Sequence, residues 1–356
     1  MHLVVAISAH GFGHGAQVAP VVNALGRWLP SLKVTVRTTV PRWFLAARLT
    51  EPFDYQPHAS DFGLEMSSPL DVRLEATARR YRTLHARWEA AVEAEAAALD
   101  GLGADLLLAD VPYLSLAAAR RLGLPAAALC SLNWAGIYRH YFGRRREAGR
   151  VLAQMEDAYN SARVFLRPAP AMAMPELTNA RSVGPVARIG RSRREGLDRR
   201  LGLKAQERLV LLAPGGVSGG FPVDAWPRLP GVRWVVPRDW GVRRCDALSI
   251  ESLGLDFTDL VCSVDALVGK CGYGTVTECA CNGTPMVYVA RPEWPEEAAL
   301  VRWLRTHNRS ACVSREELAG GRLEAALGAC WSAPAPTPPA PTGADEAAAV
   351  LAELAG

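Results

Sequence analysis

What most constrains this chain is an alternation, kept up almost from end to end, of short apolar runs with amphipathic stretches of helical period. "LVVAI" (residues 3–7) precedes a stretch over residues 15–29 in which Val18, Val21, Val22, Leu25, Trp28 and Leu29 recur at three and four. "KVTVRT" follows, then a helix opened by Pro41, a residue tolerated in a first turn. Residues 74–99 read as one long helix, with Leu74, Ala78, Tyr81, Trp88, Val92 and Leu99 on one stripe. "DLLLAD", "SLAAARR" and "PAAALCS" continue the series. Strand, helix, strand in this rhythm builds a parallel sheet with helices on both faces.

The rhythm breaks once. Across residues 165–190, "FLRPAPAMAMPELTNARSVGPVARIG", prolines accumulate and periodicity is lost, which places a domain boundary there. A second series follows: "RLVLLAP", "VRWVVP", "DALVGK", a helix after Gly274, "PMVYVA" and a helix near Pro295. The tail "SAPAPTPPAPTG" reads as a stiff extended linker, leading to a short alanine-rich helix that can dock back on the body. The expected layout is a first Rossmann-like domain over residues 1–170, a linker over 171–190, a second Rossmann-like domain over 191–332, a Pro-rich linker over 333–343 and a helix over 344–356. The fold class is α/β, two doubly wound parallel sheets facing a cleft. A length of 356 residues suits two such domains.

Composition removes several function classes. A hydrophobic share of 49% with 21% charged residues is that of a globular chain. The net charge of +4 is spread without a basic tail, which argues against a nucleic-acid partner. No apolar run reaches the ~18 residues of a membrane span, and Met1 leads straight into a strand without a leader, so a cytoplasmic location is expected. Eight cysteines show neither CxxC pairing nor a compact framework and read as reduced packing thiols. Of the 40 basic residues only Lys33, Lys204 and Lys270 are lysine, so a lysine kept in a glycine-rich loop is there for its compact ammonium.

In open α/β sheets ligands bind at the carboxyl ends of strands, and three glycine-rich loops fall there. "SAHGFGHG", residues 8–15, follows the first strand and carries His10 and His14. "GFGHGA" within it also fits a dinucleotide fingerprint, but that reading needs an acid at the end of strand two, where "KVTVRTTV" has none; Arg37 there would serve a 2′-phosphate, leaving an NADP-dependent oxidoreductase open. A plain strand-to-helix turn with ordinary histidines is a further reading. "GKCGYGTVTECACNGTP", residues 269–285, brings Lys270, Gly272, Tyr273, Gly274 and Thr275 to a helix start, with Glu278 in the first turn, an arrangement suited to an anion. It is not a Walker A loop, since Cys271 follows Lys270. "APGGVSGG", residues 213–220, offers Gly215, Gly216 and Ser218 in the same way.

The segment "GKCGYGTVTECACNGTPMVYVARPEWPEE" resembles the donor-binding segment of GT-B nucleotide-sugar glycosyltransferases, the superfamily of the UDP-glycosyltransferases and the peptidoglycan glucosaminyltransferase. "SAHGFGHGAQVAP" is similar to that superfamily's N-terminal glycine loop. "SAHGFGH" with "GKCGYGT" resembles the glycosyltransferase-like half of arabinokinase-type plant proteins. The resemblance implies an inverting glycosyltransferase that takes its sugar from a nucleotide-diphosphate donor to an unknown hydroxyl acceptor, with no cofactor and no metal.

Residue by residue, it implies His14 as the base that takes the acceptor proton and Asp110 as its carboxylate partner. Histidine suits the task, since its pKa lies near neutrality and a carboxylate on its other nitrogen fixes the tautomer. Lys270, which replaces a histidine of many plant members, would touch the diphosphate together with Gly272, Tyr273, Gly274 and Thr275. Glu278 would hold the ribose. Glu296 and Glu297 stand where the superfamily reads the donor sugar with an acid–amide pair. His10, Gly13, Asn133 and Trp134 would lie on the acceptor side, His10 with an equal claim to a structural role. Two other readings of the fold stay open, a sugar-nucleotide epimerase and a non-catalytic nucleotide-sugar binding protein.

Overall fold

The strand-forming runs are apolar and largely alanine- and β-branched-rich, so they bury on both faces, as parallel strands require. In the computed structural model, which describes residues 1–68, 70–213 and 220–355, they form two parallel sheets. The first domain contains β1 (His2–Ile7), β2 (Lys33–Arg37), β3 (Phe53–Gln56), a small hairpin of β4 (Met66–Ser68) and β5 (Asp71–Val72), then β6 (Leu106–Asp110), β7 (Ala126–Leu129), β8 (Val164–Pro168) and β9 (Ala180–Val183). The second contains β10 (Arg208–Ala213), β11 (Val232–Val236), β12 (Ala247–Ser249), β13 (Ala266–Lys270), β14 (Met286–Val289) and β15 (Ser310–Val313). Their orders are β3-β2-β1-β6-β7-β8-β9 and β12-β11-β10-β13-β14-β15. Each order reverses beside its first strand, giving one topological switch point between β1 and β6 and another between β10 and β13.

The two halves repeat more closely than the alternation suggests. From the end of β6 and of β13 onward, matching residues keep a constant spacing of 160: Asp110 and Lys270, Tyr113 and Tyr273, Gly123 and Gly283, Pro125 and Pro285. Gly123 ends its helix at φ 68° and Gly283 turns at φ 72°, a region that favours glycine. The amides of Leu107 and Leu267 both donate at 2.9 Å to the carbonyls of Pro125 and Pro285.

Several boundaries differ from the sequence reading. The first helix is Phe12–Trp28, three residues earlier than expected, because Gly11 takes φ 87° and turns the chain into the helix at once. This puts His14 inside the first turn. The long helix is two, Leu74–Ala86 and Trp88–Asp100, broken at Arg87 with φ −118° and ψ 32°. The stretch read as an inter-domain linker carries β9, which adds an edge strand beside β8. The last helix, Gly343–Ala355, returns to the first domain and buries Ala347, Ala348 and Leu351 there. It is tied by Arg27 to Asp345 and by the Gly184 amide to Glu346 at 3.0 Å. Glycine is required at this junction: a Cβ on Gly184 would lie 2.0 Å from Thr342 Oγ1. No helix among the described residues is long and apolar enough to cross a membrane.

Candidate active site at the cleft between two sheets

The switch point of the first sheet brings the end of β1 beside the end of β6, with Ile7 and Asp110 in register. His14 hangs from the helix after β1 and Asp110 closes β6, so the topology joins residues 96 apart in sequence: His14 Nδ1 lies 2.8 Å from Asp110 Oδ1. The carboxylate is wholly buried and His14 is 7% exposed. His14 Nε2 has no hydrogen-bond partner among the described residues. Burial opposes a charge on His14, but the Asp110 hydrogen bond and the charges of Asp110, Asp61 and Glu296 outweigh it, so the imidazole pKa is raised above 6.5. An imidazole with one nitrogen fixed by a carboxylate and the other free is equipped to accept a proton.

Cys130, at the end of β7, sits 3.7 Å from His14 Nδ1. The ligand atoms of His14, Asp110 and Cys130 lie within 4.8 Å of one another, a donor set chemically able to hold a soft divalent ion. Two donors around one zinc ion stand about 3.3 Å apart, given bonds of about 2.0–2.1 Å. The 2.8 Å contact is instead that of a hydrogen bond.

Across the cleft, β13 ends in Lys270 and the helix Tyr273–Cys281 begins, with no side chain capping it. The first amides of a helix have no internal acceptor and carry the positive end of its dipole. The first helix, Phe12–Trp28, is equally uncapped. The two starts adjoin: a Cβ on Gly274 would come 3.9 Å from Ala16 Cβ. A Cβ on Gly11, Gly13 or Gly272 would meet nothing within 4 Å, so open space borders both loops. Burial, then the neighbouring Arg291, lowers Lys270 to about 8, a proton that a nearby anion would hold.

Glu278 is buried and its carboxylate makes no hydrogen bond among the described residues; burial raises it to about 7, opposed by Arg48 and Arg188. Gly215, Gly216 and Ser218 lie outside the described residues.

Other expected site residues are placed in different surroundings. Tyr273 turns inward, its hydroxyl donating to the Ala169 carbonyl at 3.1 Å and accepting from the Val186 amide at 2.9 Å, so it ties the second domain to the inter-domain segment rather than facing a ligand. Asn133 caps the helix Trp134–Phe142, accepting from the Gly136 amide at 2.7 Å, and Trp134 is wholly buried with Nε1 donating to Asp61 at 2.6 Å. Neither side chain is open to an acceptor. Glu296 accepts from Ser131 Oγ at 2.6 Å across the domains, and Glu297 accepts from the Arg291 amide at 2.5 Å. Arg37 makes a buried two-point contact with Glu95, at 2.7 and 3.1 Å, so it is unavailable to a 2′-phosphate.

His10 bridges the domains, stacked on Trp294 at 5.8 Å and edge-on to Trp134 at 5.3 Å. Burial first, then His14, Lys270 and Arg291, hold it down to about 3, so it is neutral. Three participants escaped the sequence reading. Asp61 links Trp134 to the Ala9 amide, Cys130 touches the dyad, and Arg291 adds a second cation beside Lys270 while its Nη2 donates to the Cys271 carbonyl at 2.9 Å.

Solved glycosyltransferases superpose on essentially the whole chain. SnogD from Streptomyces nogalater covers 100% of both chains at a TM-score of 0.56 and 17% identity. A UDP-glucosyltransferase from Polygonum tinctorium covers 99% of this chain and 98% of its own at 0.60 and 15%. The chain has the GT-B fold. In sequence it is 25% identical over 335 residues to the L-arabinokinase of Arabidopsis thaliana, covering 90% of this chain but only 31% of that protein's length. It is 24% identical over 293 residues to an uncharacterised glycosyltransferase of Methanopyrus kandleri, covering 77% of this chain and 83% of that one. No family model matches the chain.

Proposed function

We propose that the protein is a glycosyltransferase that moves a sugar from a nucleoside-diphosphate donor to an acceptor hydroxyl, with inversion and without a metal. The observation that carries this reading is the pairing of unlike half-sites across the cleft: a carboxylate-fixed imidazole at one switch point and an ammonium with free helix amides at the other. The GT-B fold and the glycosyltransferase names of the Methanopyrus kandleri relative and of the solved neighbours support it.

His14 Nε2 takes the proton of the acceptor hydroxyl as its oxygen attacks the anomeric carbon; the bond from that carbon to the β-phosphate oxygen breaks, and the diphosphate leaves with the electron pair. Asp110 holds the imidazole and stabilises its charged form. Lys270 and the amides at Gly274 and Thr275 meet the leaving-group charge, a preorganised term that is commonly large. Glu278 lies one turn along the same helix, where a carboxylate without a protein partner is free to accept from ribose hydroxyls. Closure of the two domains keeps water from the donor.

The test is a binding and turnover series on the full chain. UDP, TDP, GDP and NADP are titrated by calorimetry, and transfer from the matching sugar nucleotide is followed with and without acceptor. The proposal expects a nucleoside diphosphate to bind, NADP not to, and His14→Ala to lose transfer while keeping the diphosphate. Donor conversion with no acceptor present would instead indicate an epimerase.

A further inference from the structure

Between the loop over residues 59–65 and the helix Leu74–Ala86 lies a wide-mouthed cavity of about 860 Å³. That volume suits a small organic molecule. Its charges are unbalanced. Arg73, Arg79 and Arg80 all line it, and the facing acids are Glu65 and Asp61. Glu65 is already paired with Arg80, which also lies over the Phe62 ring at 4.1 Å. Asp61 is committed inward, to Trp134 Nε1 at 2.6 Å and the Ala9 amide at 3.3 Å. The guanidinium groups of Arg73 and Arg79 have no hydrogen-bond or ion-pair partner among the described residues. A concave site with two uncommitted guanidinium groups and an apolar ring is built for an anion attached to a larger body, since guanidinium matches carboxylate and phosphate in two-point fashion.

The same wall is linked to the candidate base through Trp134. Asp61 binds the residue next to His10 and the tryptophan whose ring centre is 5.9 Å from that of His14. We infer that this cavity binds the charged end of the acceptor, a hydroxyl-bearing small molecule with a phosphate or carboxylate group. The assignment as acceptor rests on the glycosyl-transfer reading, whereas the binding of an anion does not.

The experiment is calorimetry on the full chain with UDP already present, titrating glucose 6-phosphate, glucuronate and glucose. The inference expects at least one of the two anions to bind ten times or more tighter than glucose, and whichever binds names the charged group. The Arg73→Ala/Arg79→Ala variant should lose tenfold or more of that affinity while UDP binds as before; both arginines are on the surface, and an unchanged melting temperature checks the fold. Ala76→Glu, which adds a negative charge to the same wall, should do the same. Equal binding of glucose and the anions, no binding of either anion, or an unaltered affinity in both variants overturns it. If UDP fails to bind while the anion preference and its arginine dependence hold, the transfer reading falls and the anion cavity stands.

Discussion

The two sheets put opposite charges at the same place. At the end of the strand beyond each switch point stands Asp110 in one domain and Lys270 in the other, 160 residues on, each followed three residues later by a buried tyrosine. The surroundings then diverge. Asp110 is sealed and carries its charge through His14, whereas Lys270 stays partly open beside an uncapped helix start. On the proposed reading, one scaffold position would serve proton handling where its side chain is buried behind an imidazole and anion binding where it faces the cleft.

That contrast can be broken from either side. The largest effect should come from the first domain: His14→Ala and Asp110→Asn are each expected to cut turnover by roughly 10²–10⁴-fold, measured as transfer from the donor, with diphosphate affinity preserved. The two differ in pH profile. Wild-type activity should rise as His14 loses its proton above 6.5, and Asp110→Asn should move that limb to lower pH, because burial is then opposed only by the weaker charges of Asp61 and Glu296. An unmoved limb would detach the carboxylate from the base.

The second domain should answer in binding. A diphosphate favours charged Lys270, so UDP affinity should hold below pH 8 and weaken above it, by about tenfold one unit higher. Lys270→Arg keeps its charge and should abolish this fall; a persisting fall would assign it to another group.

Two smaller effects sharpen the comparison. Glu278 has a folded pKa raised from 4.5 to about 7, so its contribution favours the folded state at low pH and is lost as pH rises through about 7. Glu278→Gln should therefore stabilise the protein at pH 8 on the order of 1–3 kcal/mol and do little at pH 4, read as melting temperature at the two pH values. Tyr273→Phe should cost about 1 kcal/mol of stability, by denaturant titration, and leave UDP affinity unchanged. A loss of affinity would return the hydroxyl to the ligand.

Much of this was legible in the residues. Apolar runs and helical spacing locate the two series, and glycines after strands locate the loops, because both are local consequences of backbone geometry. His14 and Asp110 could be paired only through a resemblance, since their contact is made by sheet order. What stayed hidden depends on long-range partners. The Tyr273 hydroxyl is spent on Ala169, Trp134 is spent on Asp61, and the arginine beside Lys270 lies on the loop after the next strand. β9 escaped because an edge strand needs few apolar residues, and the break at Arg87 has neither proline nor glycine to announce it.

The central claim is that a nucleoside diphosphate lies against Lys270 and the Gly274 amides, with His14 acting on the acceptor from the other side. Calorimetric titration of UDP into wild type, Lys270→Ala and His14→Ala tests it most directly. The account predicts at least tenfold weaker binding for Lys270→Ala and wild-type affinity for His14→Ala. Unchanged affinity in Lys270→Ala would contradict it.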